Sequence, residues 1–126
     1  MHMHLKLPHQ PFVFDSEGNK VENPISSNRF DGELKNAYLQ QLIFTNKKTL
    51  EIIDEIQKRN SDDVIILMSD HGSRLGLDWH NPSEMDYFRG FNNLHALYFP
   101  GQESNLPTYI ASVNTFRIFF NTYFFK

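Results

Sequence analysis

The sequence predicts an α/β domain, part of a mostly parallel sheet flanked by helices, and three stretches carry that expectation. Asp62-Asp63 leads into the apolar run Val64-Ile65-Ile66-Leu67-Met68, which stops abruptly at Ser69-Asp70-His71-Gly72. A short continuous apolar run between turn formers fits a parallel strand covered on both faces; a half-exposed strand would alternate. A helical pattern over 33–59 feeds directly into that run, the αβ order from which parallel sheets are built. A second strand, Asn93 to Phe99, is closed by Pro100-Gly101.

The remaining elements follow in order. Met1 to Leu7 alternates loosely and reads as a strand ended by Pro8 and Pro11, with His2 and His4 as ordinary residues on one face. Phe12-Val13-Phe14 gives way to polar, turn-rich sequence from Asp15 through Gly32, a long loop with turns near Gly18 and Gly32. From Glu33 to Arg59 the residues Leu39, Leu42, Ile43, Leu50, Ile53 and Ile56 recur at helical spacing. That pattern predicts a helix with an apolar core face, and with lysines, glutamates and glutamines toward water. Lys47 and Lys48 stand where they can pair with Glu51 and Glu55. After Arg74 periodicity is lost, and the segment through Gly90 reads as a long irregular loop able to act as a lid. Ser112 is expected to cap a helix from Val113 to about Tyr123, with Val113, Phe116, Phe119, Phe120 and Tyr123 on its buried face.

Composition bounds the function. A chain of 126 residues supports one domain with a core. Its net charge of −3 comes from interspersed acids and bases, so there is no basic footprint for nucleic acid. The absence of cysteine excludes disulfides and thiolate metal sites. No apolar stretch approaches the roughly 20 residues needed to cross a bilayer, and the chain as given is expected to be soluble.

Chemistry is expected at the end of the central strand. In open parallel sheets ligands bind beyond the strands' carboxyl ends, where Asp70 and His71 stand. Neighbouring side chains on a strand point to opposite faces, so the two converge only where the chain has bent, and Gly72 is expected to supply the bend. A carboxylate oxygen with a neutral imidazole nitrogen suits zinc or manganese better than calcium or magnesium. The ordinary reading is a capping Asp and a surface His. Arg74 can neutralise an anionic ester oxygen through a bidentate contact, or form a surface ion pair with Asp78, Glu84 or Asp86. His80 reads as a loop histidine and His95 as a packed strand histidine.

Ser69-Asp70-His71-Gly72 after an apolar strand resembles the metal-binding Asp-His-Gly element of the alkaline phosphatase superfamily. Further segments match in the same order: Leu7 through Asp15, Tyr38 through Asp54, Leu97 through Gly101, and Ser112 through Arg117. Over most of its length the chain is similar to the C-terminal half of a sulfatase-like hydrolase or transferase domain. That branch includes lipoteichoic acid synthases and phosphoethanolamine transferases. The resemblance implies an alkaline phosphatase/sulfatase-like sheet with its N-terminal half missing, a divalent ion on Asp70 and His71, and a sulfate or phosphate ester as substrate. It places His9 at the family's substrate-facing histidine, contacting the anion or protonating the leaving group.

Members of that family react through a covalent intermediate on a Ser, Thr or modified Cys. The nucleophile and a further acidic ligand lie in the N-terminal half, and no Cys-x-Pro-x-Arg signature occurs here. The chain is therefore expected to be a fragment with half an active site, inactive alone and prone to self-association through exposed sheet edges. The resemblance further implies a full-length protein anchored in a membrane, with an extracytoplasmic catalytic domain. The alternative, from a different class, is a non-catalytic α/β binding or interaction module in which the Asp70-His71 pair merely caps a strand.

Overall fold

The structure is a computed structural model that describes residues 2–25, 32–102 and 106–125. Among the described residues four strands and three α-helices follow one another as β1 (Phe12–Phe14), β2 (Lys20–Ile25), α1 (Gly32–Arg59), β3 (Ile65–Met68), α2 (Glu84–Phe91), β4 (His95–Tyr98) and α3 (Thr115–Tyr123). A short 3-10 turn, Ser112–Asn114, precedes α3.

The strands form two separate antiparallel pairs, β1 with β2 and β3 with β4. This corrects the expectation of a mostly parallel, sulfatase-like sheet. Among the described residues β3 has one neighbour, and β4 returns beside it in the opposite direction with Ile65 facing Tyr98 and Met68 facing His95. The apolar run was expected to be covered on both faces, yet Val64, Ile65, Ile66 and Leu67 are half-buried and Met68 is 40 % exposed. Apolar continuity sets the burial a strand seeks and carries no information on its neighbour's direction.

The N-terminal pair also departs from expectation. No strand occurs over residues 2–7, where His2 and His4 are exposed, and Met1 lies outside the described residues. The stretch after Asp15 is instead a hairpin. Asp15 Oδ1 accepts from the N–H groups of Glu17 (2.9 Å) and Asn19 (2.8 Å), and Oδ2 accepts from the Asn19 amide at 2.9 Å. Gly18 closes the turn at φ 88°, where a Cβ would also meet the Phe44 ring. Residues 26–31, part of the expected loop, lie outside the described residues, and Gly32 opens α1.

Asn19's side-chain amide above all, with the backbone N–H groups of Asn19, Glu17 and Gly18, holds the exposed Asp15 carboxyl below its ordinary value of 3.8. A carboxyl whose pKa is lowered by folding adds stability above its unfolded value and loses it as pH falls through the folded one. The stability advantage of wild type over Asp15→Ala is therefore expected to be full at neutral pH and to shrink below 3.8. Urea midpoints of both proteins across that range check this.

α1 matches its expected span, but its buried side is not the expected stripe. The buried positions are Leu34, Gln41 and Thr45, while Leu39 and Ile43 are exposed and Leu50 is 61 % exposed. The hairpin decides this. Phe12 packs edge-on against Tyr38 (ring centroids 5.9 Å) and Phe14 against Phe44 (5.0 Å). Lys47 bonds Glu17 of the hairpin at 2.7 Å and not the expected glutamates of its own helix, whereas Lys48–Glu51 (2.7 Å) and Lys58–Glu55 (2.8 Å) are intrahelical.

The C-terminal core centres on Phe99, which is fully buried against Phe119 (5.9 Å) and Tyr123 (5.7 Å). Val113, Phe116 and Phe120, expected on the buried face of α3, are exposed. The Ser112 hydroxyl caps nothing and accepts from Asn93 Nδ2 at 3.0 Å. None of the helices among the described residues is long and apolar enough to cross a membrane.

Candidate functional site

β3 ends at Met68, and the chain then bends, as convergence of Asp70 and His71 requires. Three contacts hold the bend. Ser69 N–H donates to Leu94 O (2.9 Å), Leu94 N–H donates to Ser69 Oγ (2.9 Å), and Asn93 Nδ2 donates to Ser69 O (2.9 Å). Asn93 also reaches Ser112, so one side chain ties the end of β3 to the start of α3. Nothing in its local sequence marked that role, because both partners are distant along the chain.

The next clamp is α2, which the sequence expectation took for irregular loop. Ser83 and Asp86 form a complete capping box: Asp86 N–H donates to Ser83 Oγ (3.2 Å) and Ser83 N–H donates to Asp86 Oδ2 (2.9 Å). The signal was legible as Ser-x-x-Asp directly after Pro82. The last turn of α2 docks on the site, with Gly72 N–H donating to Gly90 O at 2.8 Å. A Cβ on Gly72 would collide with Arg89 O and lie 2.7 Å from Asn92 O. Gly72 is absent from the glycines with positive φ. Close approach of α2 explains this glycine, in place of the conformational freedom expected of it.

Within the bend Asp70 Oδ1 accepts from the His71 N–H at 3.1 Å, and Asp70 Oδ2 lies 3.7 Å from His71 Nε2. The carboxylate is 90 % exposed and the imidazole 31 %. His71 Nδ1 lies 2.7 Å from Gly72 O. A carbonyl only accepts, so Nδ1 carries a proton, and Nε2 is the ring nitrogen on the side of Asp70. Such a backbone bond is the usual outer-shell partner of a metal-ligating histidine. Two ligand bonds of about 2.1 Å can span a separation of 3.7 Å. Among the described residues no group of three or more His, Asp or Glu side chains is placed to hold a metal.

The other expected site residues lie apart from this pair. Arg74 forms no ion pair with Asp78, Glu84 or Asp86 among the described residues, and its guanidinium stacks over Trp79 at 5.3 Å. Asp78 is occupied with turn N–H groups of His80 (2.9 Å) and Asn81 (3.2 Å), and Asp86 with the α2 cap. His9 is exposed beside the hairpin. Its Nδ1 bonds Gln10 O and its own carbonyl accepts from Gln41 Nε2 at 3.0 Å. No hydrogen bond or ion pair among the described residues joins His9 or Arg74 to Asp70 or His71.

His95 is the packed histidine expected. Its Nε2 lies 2.8 Å from Thr115 Oγ1, whose hydroxyl donates to Ser112 O at 2.7 Å, so Nε2 is the donor between them. Two shallow concavities lie on α1, beside Ile52 and Ile56, and between α1 and the hairpin, beside Phe12 and Val21; neither includes Asp70 or His71. The pair sits on an open bend.

Comparison of the chain with protein-family models, with curated proteins and with solved structures returned no match.

Proposed function

We propose that Asp70 and His71 bind a divalent cation, manganese or zinc ahead of calcium or magnesium, as part of a centre that hydrolyses or transfers sulfuric or phosphoric esters. The carrying observation is the pairing itself. One carboxylate oxygen is tied to the backbone while the other faces Nε2 of an imidazole whose ring is held by the Gly72 carbonyl at Nδ1. The ordered resemblance to sulfatase-like enzymes supports the choice of reaction.

A bound divalent ion would supply Lewis acidity at the ester oxygen and lower the pKa of an oxygen nucleophile. The protein's own groups do the positioning. Arg74, stacked on Trp79 and unpaired with acid among the described residues, has its guanidinium available for an anionic oxygen. His9, with Nδ1–H bound to Gln10 O, can donate through Nε2 only as the imidazolium, so an anion contact or a proton donation there requires its charged form. Among the described residues no serine or threonine hydroxyl is hydrogen-bonded to Asp70 or His71. Ser69 Oγ accepts from Leu94 N–H instead. The membrane anchor and extracytoplasmic setting belong to this proposal as properties of the full-length protein.

Calorimetric titration with Mn²⁺ and Zn²⁺ tests the reading. The chain is expected to bind one equivalent weakly, because two protein donors leave the rest of the coordination to water. Asp70→Ala and His71→Ala should each weaken binding at least tenfold, and the loaded chain should show no turnover of aryl phosphate or aryl sulfate. Binding unchanged in both variants would leave a capping Asp beside a surface His, the non-catalytic module.

A further inference from the structure

From Ser69 to Gly72 the chain runs through successive peptide planes, and the directions taken by the Asp70 and His71 side chains depend on what holds each plane. Ser69 N–H donates to Leu94 O (2.9 Å) and Gly72 N–H donates to Gly90 O (2.8 Å), so the segment from Gly90 to Leu94 holds the bend at both ends. These bonds join backbone groups and survive a change of side chain at Leu94. The plane that enters Asp70 is held differently. Its oxygen, Ser69 O, accepts from the side-chain amide of the half-buried Asn93, with Nδ2 at 2.9 Å. A carbonyl only accepts, so that amide has one possible orientation. The following plane is closed by Asp70 itself, whose Oδ1 accepts from the His71 N–H at 3.1 Å.

Because a peptide unit is planar, fixing the direction of its oxygen fixes the rotation of the whole plane, and with it the direction in which the Asp70 side chain leaves the backbone. Rotation of that plane would carry Asp70 Oδ2 away from His71 Nε2, 3.7 Å from it. The same Asn93 Nδ2 also lies 3.0 Å from Ser112 Oγ. Ser112 O in turn accepts from the hydroxyl of Thr115, the first residue of α3, at 2.7 Å. One amide thus has two bonds of different consequence, one to the bend and one toward α3.

We propose that Asn93 is the positioning residue of the Asp70-His71 pair. Its bond to Ser69 O sets the cation affinity of the pair, and its bond to Ser112 does not. The role rests on the reading of that pair as a cation site, and it places a determinant of affinity outside the bend. Groups that orient metal ligands without touching the metal typically cost about 10–100-fold in affinity when replaced.

Substitutions separate the two bonds. Asn93→Asp sets an oxygen against Ser69 O and abolishes that bond, while Ser112 Oγ, which donates as well as accepts, can still bond the new carboxylate. The added negative charge by itself favours a cation, so a loss of affinity would run against it. Asn93→Ala removes both bonds without adding charge and serves also if Asn93→Asp does not fold. Ser112→Ala removes the bond toward α3 and leaves Nδ2 on Ser69 O. Titration calorimetry of the full chain with Mn²⁺, with a thermal melt of each protein to establish folding, is expected to show about a tenfold or greater loss of affinity in both Asn93 variants. Ser112→Ala should bind as wild type does, whatever its melting point. Undiminished affinity in the folded Asn93 variants, or an equal loss in Ser112→Ala, would overturn the role of Asn93 and leave the cation site standing. A wild type that takes up no Mn²⁺ would overturn both.

Discussion

Gly72→Ala is expected to undo the site. The new methyl group has no side chain to push aside, because what it meets is backbone: Arg89 O in direct collision and Asn92 O at 2.7 Å. Relief requires the last turn of α2 to withdraw, which breaks the bond from Gly72 N–H to Gly90 O. It also shifts the carbonyl that sets the His71 tautomer. Overpacking against a fixed backbone costs about 2–4 kcal/mol. The expected result is a fall of roughly 10 °C in the thermal midpoint, together with loss of Mn²⁺ binding in calorimetry. A variant that keeps both would show that α2 does not rest on Gly72.

Gln41→Leu is expected to detach the hairpin from α1. Gln41 is 0 % exposed, and its amide serves three backbone groups: Oε1 accepts from the N–H groups of Val13 (2.8 Å) and Phe14 (3.2 Å), and Nε2 donates to His9 O (3.0 Å). An isosteric apolar side chain leaves those groups without their partner, at about 1–3 kcal/mol for each one kept from water. A total near 3–5 kcal/mol follows, since the hairpin can admit some solvent on loosening. Gln41→Glu keeps the acceptors but sets a carboxylate against the His9 carbonyl, and should fall between wild type and Gln41→Leu. Urea denaturation gives the order of the three proteins. Equal midpoints for wild type and Gln41→Leu would show that the buried amide does not hold the hairpin.

These two residues also show how much was legible. Gly72 was recognised as necessary, but for the wrong reason. A glycine in sequence looks the same whether it serves a left-handed turn or a close approach, and the approaching element, α2, comes from residues a dozen or more positions later. Gln41 was assigned to the wet side of α1 with the other glutamines, because hydropathy ranks an amide as polar whatever it can bond. Only the neighbouring hairpin, with three backbone groups in need of partners, makes burial favourable at that position. Asp70 and His71 were legible as a bend after an apolar strand, since Ser-Asp-His-Gly interrupts the run locally. Their facing atoms were not, because the tautomer depends on a carbonyl and the bend on Asn93 and Leu94.

The sequence by itself determined that a long helix occupies about 33–59, that strands lie within 64–68 and 93–99, that a helix closes the chain, and that Asp70 and His71 stand in a bend between elements. All of these follow from period and turn chemistry read over a few residues. The tertiary structure alone decided the antiparallel direction of β4 against β3, the face of α1 that is buried, the docking of α2 on Gly72, and the nitrogen of His71 that faces Asp70. Each of these depends on a hydrogen-bond or packing partner distant in the chain, and a local pattern specifies the groups that need partners without specifying which groups meet them.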